Sequence, residues 1–189
     1  PWEGVWLRTD GNPATINVTP PQVGSTDTQA ALQELSLGAN GWSATLVAKA
    51  ADSQDVTTTV GVGPSLAAGL QLENPPMAPQ SVDVYLTAAD GRYLSQDIKA
   101  GAVTTQSWDF SVVSDLPSTN IALSLPDLSK VPANLAVYLT DLSTGKRLYA
   151  RTLTSYSFES GDAGVQRRFR LEVSPRSAGG LVVNGAAAR

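Results

Sequence analysis

The side chains in this sequence that could do chemistry are mainly its carboxylates. Asp52 and Asp55 form one group, and Asp83, Asp90 and Asp97 form a second. Calcium would need about six to eight oxygens converging from a tight loop. No Asp-x-Asp-x-Asp-Gly spacing occurs, so no metal site is predicted. Asp55 and Asp97 are expected to hydrogen-bond backbone near turns instead. Glycoside hydrolysis needs two carboxylates across a cleft, and no Asp or Glu here has the aromatic-rich surround that would mark such a pair. The serines lack a Gly-x-Ser-x-Gly context, and Gly61-Val62-Gly63 runs into Pro64 rather than a helix, so it is not a phosphate loop. Lys49, a candidate for an isopeptide crosslink to an Asn, falls on the polar side of its strand, which argues against burial beside a partner.

The chain has no Cys and no His. Disulfides, thiolate metal sites and thiol nucleophiles are thereby excluded, and the commonest general base is missing. The reading is of a protein that is not an enzyme, with no catalytic residue and no cofactor. Binding chemistry is left to the aromatics. Tyr85 and Tyr138 fall on the outward side of their strands, and Trp2 and Trp6 share one face of an N-terminal segment. Outward aromatics stack sugars or protein partners; for the Trp pair, core or interdomain packing is the favoured role.

The elements that would carry these residues are strands. Val84-Tyr85-Leu86-Thr87 turns at Asp90-Gly91, and Val137-Tyr138-Leu139-Thr140 turns at Thr144-Gly145. Each hairpin is followed by a strand of one design: Trp108-Asp109-Phe110-Ser111-Val112 in the first copy, Phe169-Arg170-Leu171-Glu172-Val173 in the second. One β-unit is used twice. A three-residue loop, Ala89-Asp90-Gly91, would pair Leu86 with Leu94 and Val82 with Ile98. The same logic with Ser143-Thr144-Gly145 pairs Leu139 with Tyr149 and Leu135 with Leu153. Both turns put Gly where φ must be positive.

Elsewhere, period-two alternation marks strands at 42–50 and 55–62, and Ile121, Leu123 and Leu125 share a face. Residues 65–80, rich in Pro, read as a loop over the sheet edge. Short strands are expected at 5–8 and 14–18. Residues 27–35 read as a short helix capped by Asp27, or as a crossing loop. The fold class is all-β: two small tandem sandwich-like units, 42–114 and 115–175. Residues 1–41 form an N-terminal β segment, and 176–189 a linker or the start of a further domain. Whether the two units merge into one sandwich is left open. The first core would hold Trp42, Leu46, Val84, Leu86, Trp108, Phe110 and Val112. The second would hold Leu123, Val137, Leu139, Phe169, Leu171 and Val173.

Net charge is −4, with 13 Lys and Arg against 17 Asp and Glu. A nucleic-acid binder needs a basic face to displace counterions, so nucleic acid is not an expected partner. Arg167, Arg168 and Arg170 read as a solvated strand face. No run approaches a membrane span. The start at Pro1 suggests a segment of a longer protein.

The Trp-started strand, the Asp-to-Gly-Val strand, the Pro-Pro loop and the repeated hairpins resemble a module of large secreted or surface bacterial proteins. That module is similar in design to immunoglobulin and fibronectin type III sandwiches. Trp42, Asp55, Gly61, Val62, Pro75, Pro76, Asp97, Trp108, Phe110, Val112, Phe169 and Val173 carry the resemblance, over residues 42–174. It implies an extracellular or cell-surface module without catalysis, partnered by neighbouring domains of its own polypeptide. The alternative is an adhesin-like module that binds surface glycan or protein.

Overall fold

The computed structural model describes residues 37, 40–64, 69–101 and 105–176. Trp2, Trp6, the expected strands at 5–8 and 14–18, the helix candidate at 27–35 and the apolar run at 181–183 lie outside the described residues.

The described chain is all-β, as expected. Its strands are β1 (Trp42–Ala50), β2 (Ser53–Gly63), β3 (Leu70–Glu73), β4 (Val82–Thr87), β5 (Tyr93–Ala100) and β6 (Gln106–Ser114). Then come β7 (Asn120–Ser124), β8 (Leu135–Asp141), β9 (Arg147–Tyr149), β10 (Tyr156–Glu159) and β11 (Arg167–Pro175), with a 3-10 turn at Ala150–Thr152. They form one curled, half-barrel-like sheet in the order β10-β7-β1-β2-β5-β4-β6-β11-β8-β9, with β3 on the other edge of β5. Strands from 42–114 and 115–175 are interleaved in it: β7 and β10 join β1, and β11 lies between β6 and β8. The strand β3 falls inside the stretch expected to be a loop.

β1 alternates except at Val47: Trp42, Ala44, Leu46, Ala48 and Ala50 are all buried, Val47 is buried as well, and Lys49 is exposed. β2 does not. Leu46 pairs with Thr58 but Ala48 with Asp55, so β2 runs one residue longer than β1 between these pairs. The bulge leaves Val56 49% exposed and sends Asp55 and Thr58, three apart, to the same backbone. Farther along, β2 lies antiparallel to β1 and parallel to β5. Gly61 sits between them. A Cβ there would be 2.3 Å from the Trp42 carbonyl oxygen and 2.9 Å from Ile98 Cδ1, so only Gly fits.

β5 divides its service. Tyr93 and Leu94 pair with Thr87 and Leu86 of β4, and Gln96 to Ala100 then pair with Thr59 to Gly63 of β2. The expected Leu86–Leu94 register holds, with Gly91 at φ 87°. The expected Val82–Ile98 pair does not form, because Ile98 has moved on to Gly61 and Leu70. Side chains of β2 fill the gap this leaves on β4. Ser53 Oγ accepts from the Val82 N–H at 3.1 Å, Asp55 Oδ2 accepts from the Val84 N–H at 2.7 Å, and Thr58 Oγ1 donates to the Val84 carbonyl at 2.5 Å. The backbone groups of β4 are thus satisfied without a strand beside them.

In the second hairpin the register is one residue from the expected one. Leu139 pairs with Leu148 and Tyr138 with Tyr149. Asp141 widens the turn: its Oδ1 accepts from the N–H groups of Ser143 and Thr144, and its own N–H reaches the Lys146 carbonyl. Gly145 still takes the left-handed position, at φ 71°. Leu135 does not meet Leu153, because the chain enters the 3-10 turn at Ala150.

The two copies of the repeat meet each other. Val84 opposes Val112 and Leu86 opposes Phe110 in the first; Val137 opposes Val173 and Leu139 opposes Leu171 in the second. The closing strands of the copies then pair antiparallel, Phe110 with Phe169 and Trp108 with Leu171. This is the register of a quasi-two-fold axis passing between Asp109 and Arg170, which face each other at its centre. The succession β5-β4-β6 is answered by β11-β8-β9.

All the expected core residues are buried, in a single cluster rather than two. Trp42 and Trp108 meet edge to face at 5.7 Å, and the Phe110 and Phe169 rings stack at 5.4 Å across the quasi-axis.

Candidate binding face

One face of β4, β6, β11, β8 and β9 covers the core, and the residues that alternate with the core positions make the other. Across it, Tyr85 neighbours Ser111 and then Arg168. In the next row Asp109 neighbours Arg170, Thr140 and Arg147; in the one after, Ser107 neighbours Glu172, Tyr138 and Tyr149.

Tyr85 and Tyr138 therefore both lie on the outward side, as period two requires. Neither is freely presented. Tyr85 is 8% exposed: Tyr93 packs over it at 4.3 Å and its hydroxyl donates to Gln166 Oε1. Tyr138 is half-buried, with Tyr149 at 5.5 Å and the Arg147 guanidinium 3.8 Å from its ring centre. The exposed aromatic of the first pair is Tyr93, at 54%. Each hairpin thus carries a Tyr pair, Tyr85–Tyr93 and Tyr138–Tyr149; Tyr85 and Tyr138 hold corresponding places, whereas Tyr93, opposite Thr87, corresponds to Arg147, opposite Thr140. The sequence hides the second of these partners, since the three-residue loop would have set Tyr149 opposite Leu139.

Arginines dominate the charge of this face. Arg170 clamps Asp109 with two bonds and holds its carboxyl below the usual range, while Arg147 reaches Glu172 at 3.4 Å. Arg176 donates to the Tyr149 hydroxyl. Arg168 is exposed and has no acidic partner among the described residues. Arg167, one residue back, turns away to Asp141, so the three arginines do not share one solvated face.

The remaining charged groups serve the fold. The Asp141 side chain is 1% exposed. Burial alone would raise its carboxyl, but bonds from Arg167, Tyr156, Ser143 and Thr144 prevail and hold it at about 2. Asp55 is buried without a cation; besides Val84 it accepts from Thr57 N and Oγ1 at 2.8 and 2.7 Å. It does bond backbone at a turn, as expected, whereas Asp97 accepts from the Gln71 side chain. Asp83 lies beside Asp55 and accepts from Asn74 at 2.9 Å. Burial pushes its carboxyl up to about 6, with Asn74 opposing the rise and Asp55 adding to it. Arg151 donates to the carbonyls of Leu128, Val131, Pro132 and Leu135, tying down the loop before β8.

A cleft of about 370 Å³ opens where β5 leaves β4, and it contains Asp97 and Asp109. Lys99 lies over the Trp108 ring there at 4.8 Å and donates to the Ser107 carbonyl. The Arg170 clamp holds Asp109 there as a carboxylate. Among the described residues no three His, Cys, Asp or Glu side chains gather to hold a metal, and no helix is long and apolar enough to cross a membrane.

No family model, curated protein or solved structure matches this chain.

Proposed function

We propose that this chain is a noncatalytic structural module that spaces or docks neighbouring domains of an extracellular bacterial protein. One observation carries the reading: its buried charged groups are spent on its own backbone and on each other. Asp55 stands in for a strand beside β4, Arg151 gathers four carbonyls, and Asp141 is locked to Arg167. Groups used in this way hold strands in place and are not poised for a reaction. The resemblance to immunoglobulin and fibronectin type III modules supports the same role. On this reading the repeats are two tandem sandwich-like units merged through the β6–β11 seam. The net charge of −4 argues against nucleic acid as a partner. The test is a pull-down of the chain against the polypeptide that flanks it in its parent protein. Capture supports docking, whereas turnover of any glycoside, ester or peptide by the isolated chain overturns the reading.

A second reading is favoured by the two Tyr pairs on the outer face, one on each hairpin. It makes that face a binding surface for surface glycan or protein.

A further inference from the structure

The outer face of β4, β6, β11, β8 and β9 differs in charge from the protein that bears it. Arg147, Arg168, Arg170 and Arg176 are set against Asp83, Asp109 and Glu172, while the whole chain carries −4. Two of the arginines are paired with Asp109 and Glu172, and Arg168, whose charge is felt at Asp109, makes no ion pair of its own among the described residues. Tyr85 is two strands from Arg168 in the same row, about 10 Å away at ordinary strand spacing. Tyr93, stacked on Tyr85, presents a ring to solvent beside it.

We propose that this face binds a polysaccharide bearing carboxylates, with Arg168 receiving a carboxylate and the exposed Tyr93 ring receiving a sugar face. This rests on the second reading above, and it names the ligand. Arg suits a carboxylate because its planar fork matches the two oxygens.

A peptide fits less well. β4, β6, β11 and β8 all lie inside the sheet, and the face's one edge strand, β9, is only three residues long, too short to seat a peptide by strand addition. A sugar chain brings its own hydroxyls and needs only rings and side-chain donors. Arg168 and the Tyr85–Tyr93 pair lie two strands apart, about 10 Å, more than the width of one sugar ring. An oligomer, not a single sugar, would span them.

The experiment is calorimetric titration of the 189-residue chain with oligogalacturonate, with neutral dextran oligomers and with polyglutamate. Arg168→Ala and Tyr93→Ala are measured alongside. Both side chains are exposed, so their melting temperatures should match the parent. Oligogalacturonate is expected to bind, with affinity falling at least tenfold in each variant and falling again with salt. Equal affinity for dextran, indifferent to Arg168→Ala, would overturn the carboxylate while keeping a binding face. Tighter binding of polyglutamate would overturn the glycan. Silence with all three ligands would overturn the binding face itself and leave the spacer.

Discussion

Asp109 and Arg170 form a two-bonded ion pair, 2.6 and 2.9 Å, at the quasi-two-fold centre of the sheet, one residue from each repeat. They are the aligned polar positions of the strands that close the two copies. The place is central but wet, with 35% of the Asp109 and 44% of the Arg170 side chain exposed. Symmetry therefore does not make the pair strong. A double-mutant cycle on Asp109→Ala and Arg170→Ala, read by urea denaturation, should give a coupling of about 1 kcal/mol or less. Asp141→Ala should cost about 3–5 kcal/mol, because it strands a partly buried Arg167 and the turn donors. Equal costs at the two sites would show that exposure does not govern them.

Trp108 joins the halves of the curled sheet, edge to face with Trp42 and with its Nε1 donating to the Asp97 carbonyl. Trp108→Ala should cost about 3–5 kcal/mol, as deep large-to-small changes do. An unmoved melting temperature would place this indole outside the core.

Asp55 substitutes for a missing strand, so its loss should act through β4. Asp55→Ala leaves the Val84 N–H without an acceptor and releases the bulge held through Thr57. A loss of about 2–4 kcal/mol follows from an orphaned buried donor plus lost turn bonds. Hydrogen exchange should show the Val84 amide losing protection before the Tyr85 amide, which faces β6.

Asp83 sets a pH dependence of the less usual sign. Its folded carboxyl titrates near 6 against 3.8 when unperturbed. The folded state therefore holds the proton more tightly than the unfolded chain. Stability from this group is complete below about pH 4 and is lost as pH rises through 6, with partial exposure keeping the loss below the full shift. Asp83→Asn keeps an acceptor for Asn74 and carries no charge. Its melting temperature should exceed the parent's at pH 8 and match it at pH 4, and a parallel offset at both would remove Asp83 as the cause.

Period two was enough to find most of the strands, though not β3, and the core set and the outward side of Tyr85 and Tyr138, because each depends on neighbours within a few residues. The first hairpin register was legible for the same reason, through Gly91. The second slipped by one because Asp141 shapes its turn, and two of that residue's partners, Tyr156 and Arg167, arrive from 15 and 26 residues away. The divided path of β5 was hidden too. It depends on β2 offering Asp55 and Thr58 to β4, and that depends on a bulge at Val56 with no turn residue to announce it. Neither tyrosine partner was read from the sequence: Tyr93 stands opposite Thr87 and reaches Tyr85 on the diagonal, and Tyr149 was expected opposite Leu139.

The antiparallel meeting of β6 with β11 has a consequence for how such a chain could arise. A single hairpin-plus-strand peptide ending in such a strand has an edge complementary to itself, and two copies would associate by the same contacts on both sides. Joining the copies end to end turns that association into an intramolecular seam, independent of concentration. It also retires a hazard, since the closing strand of a lone copy would be an open edge that recruits strangers.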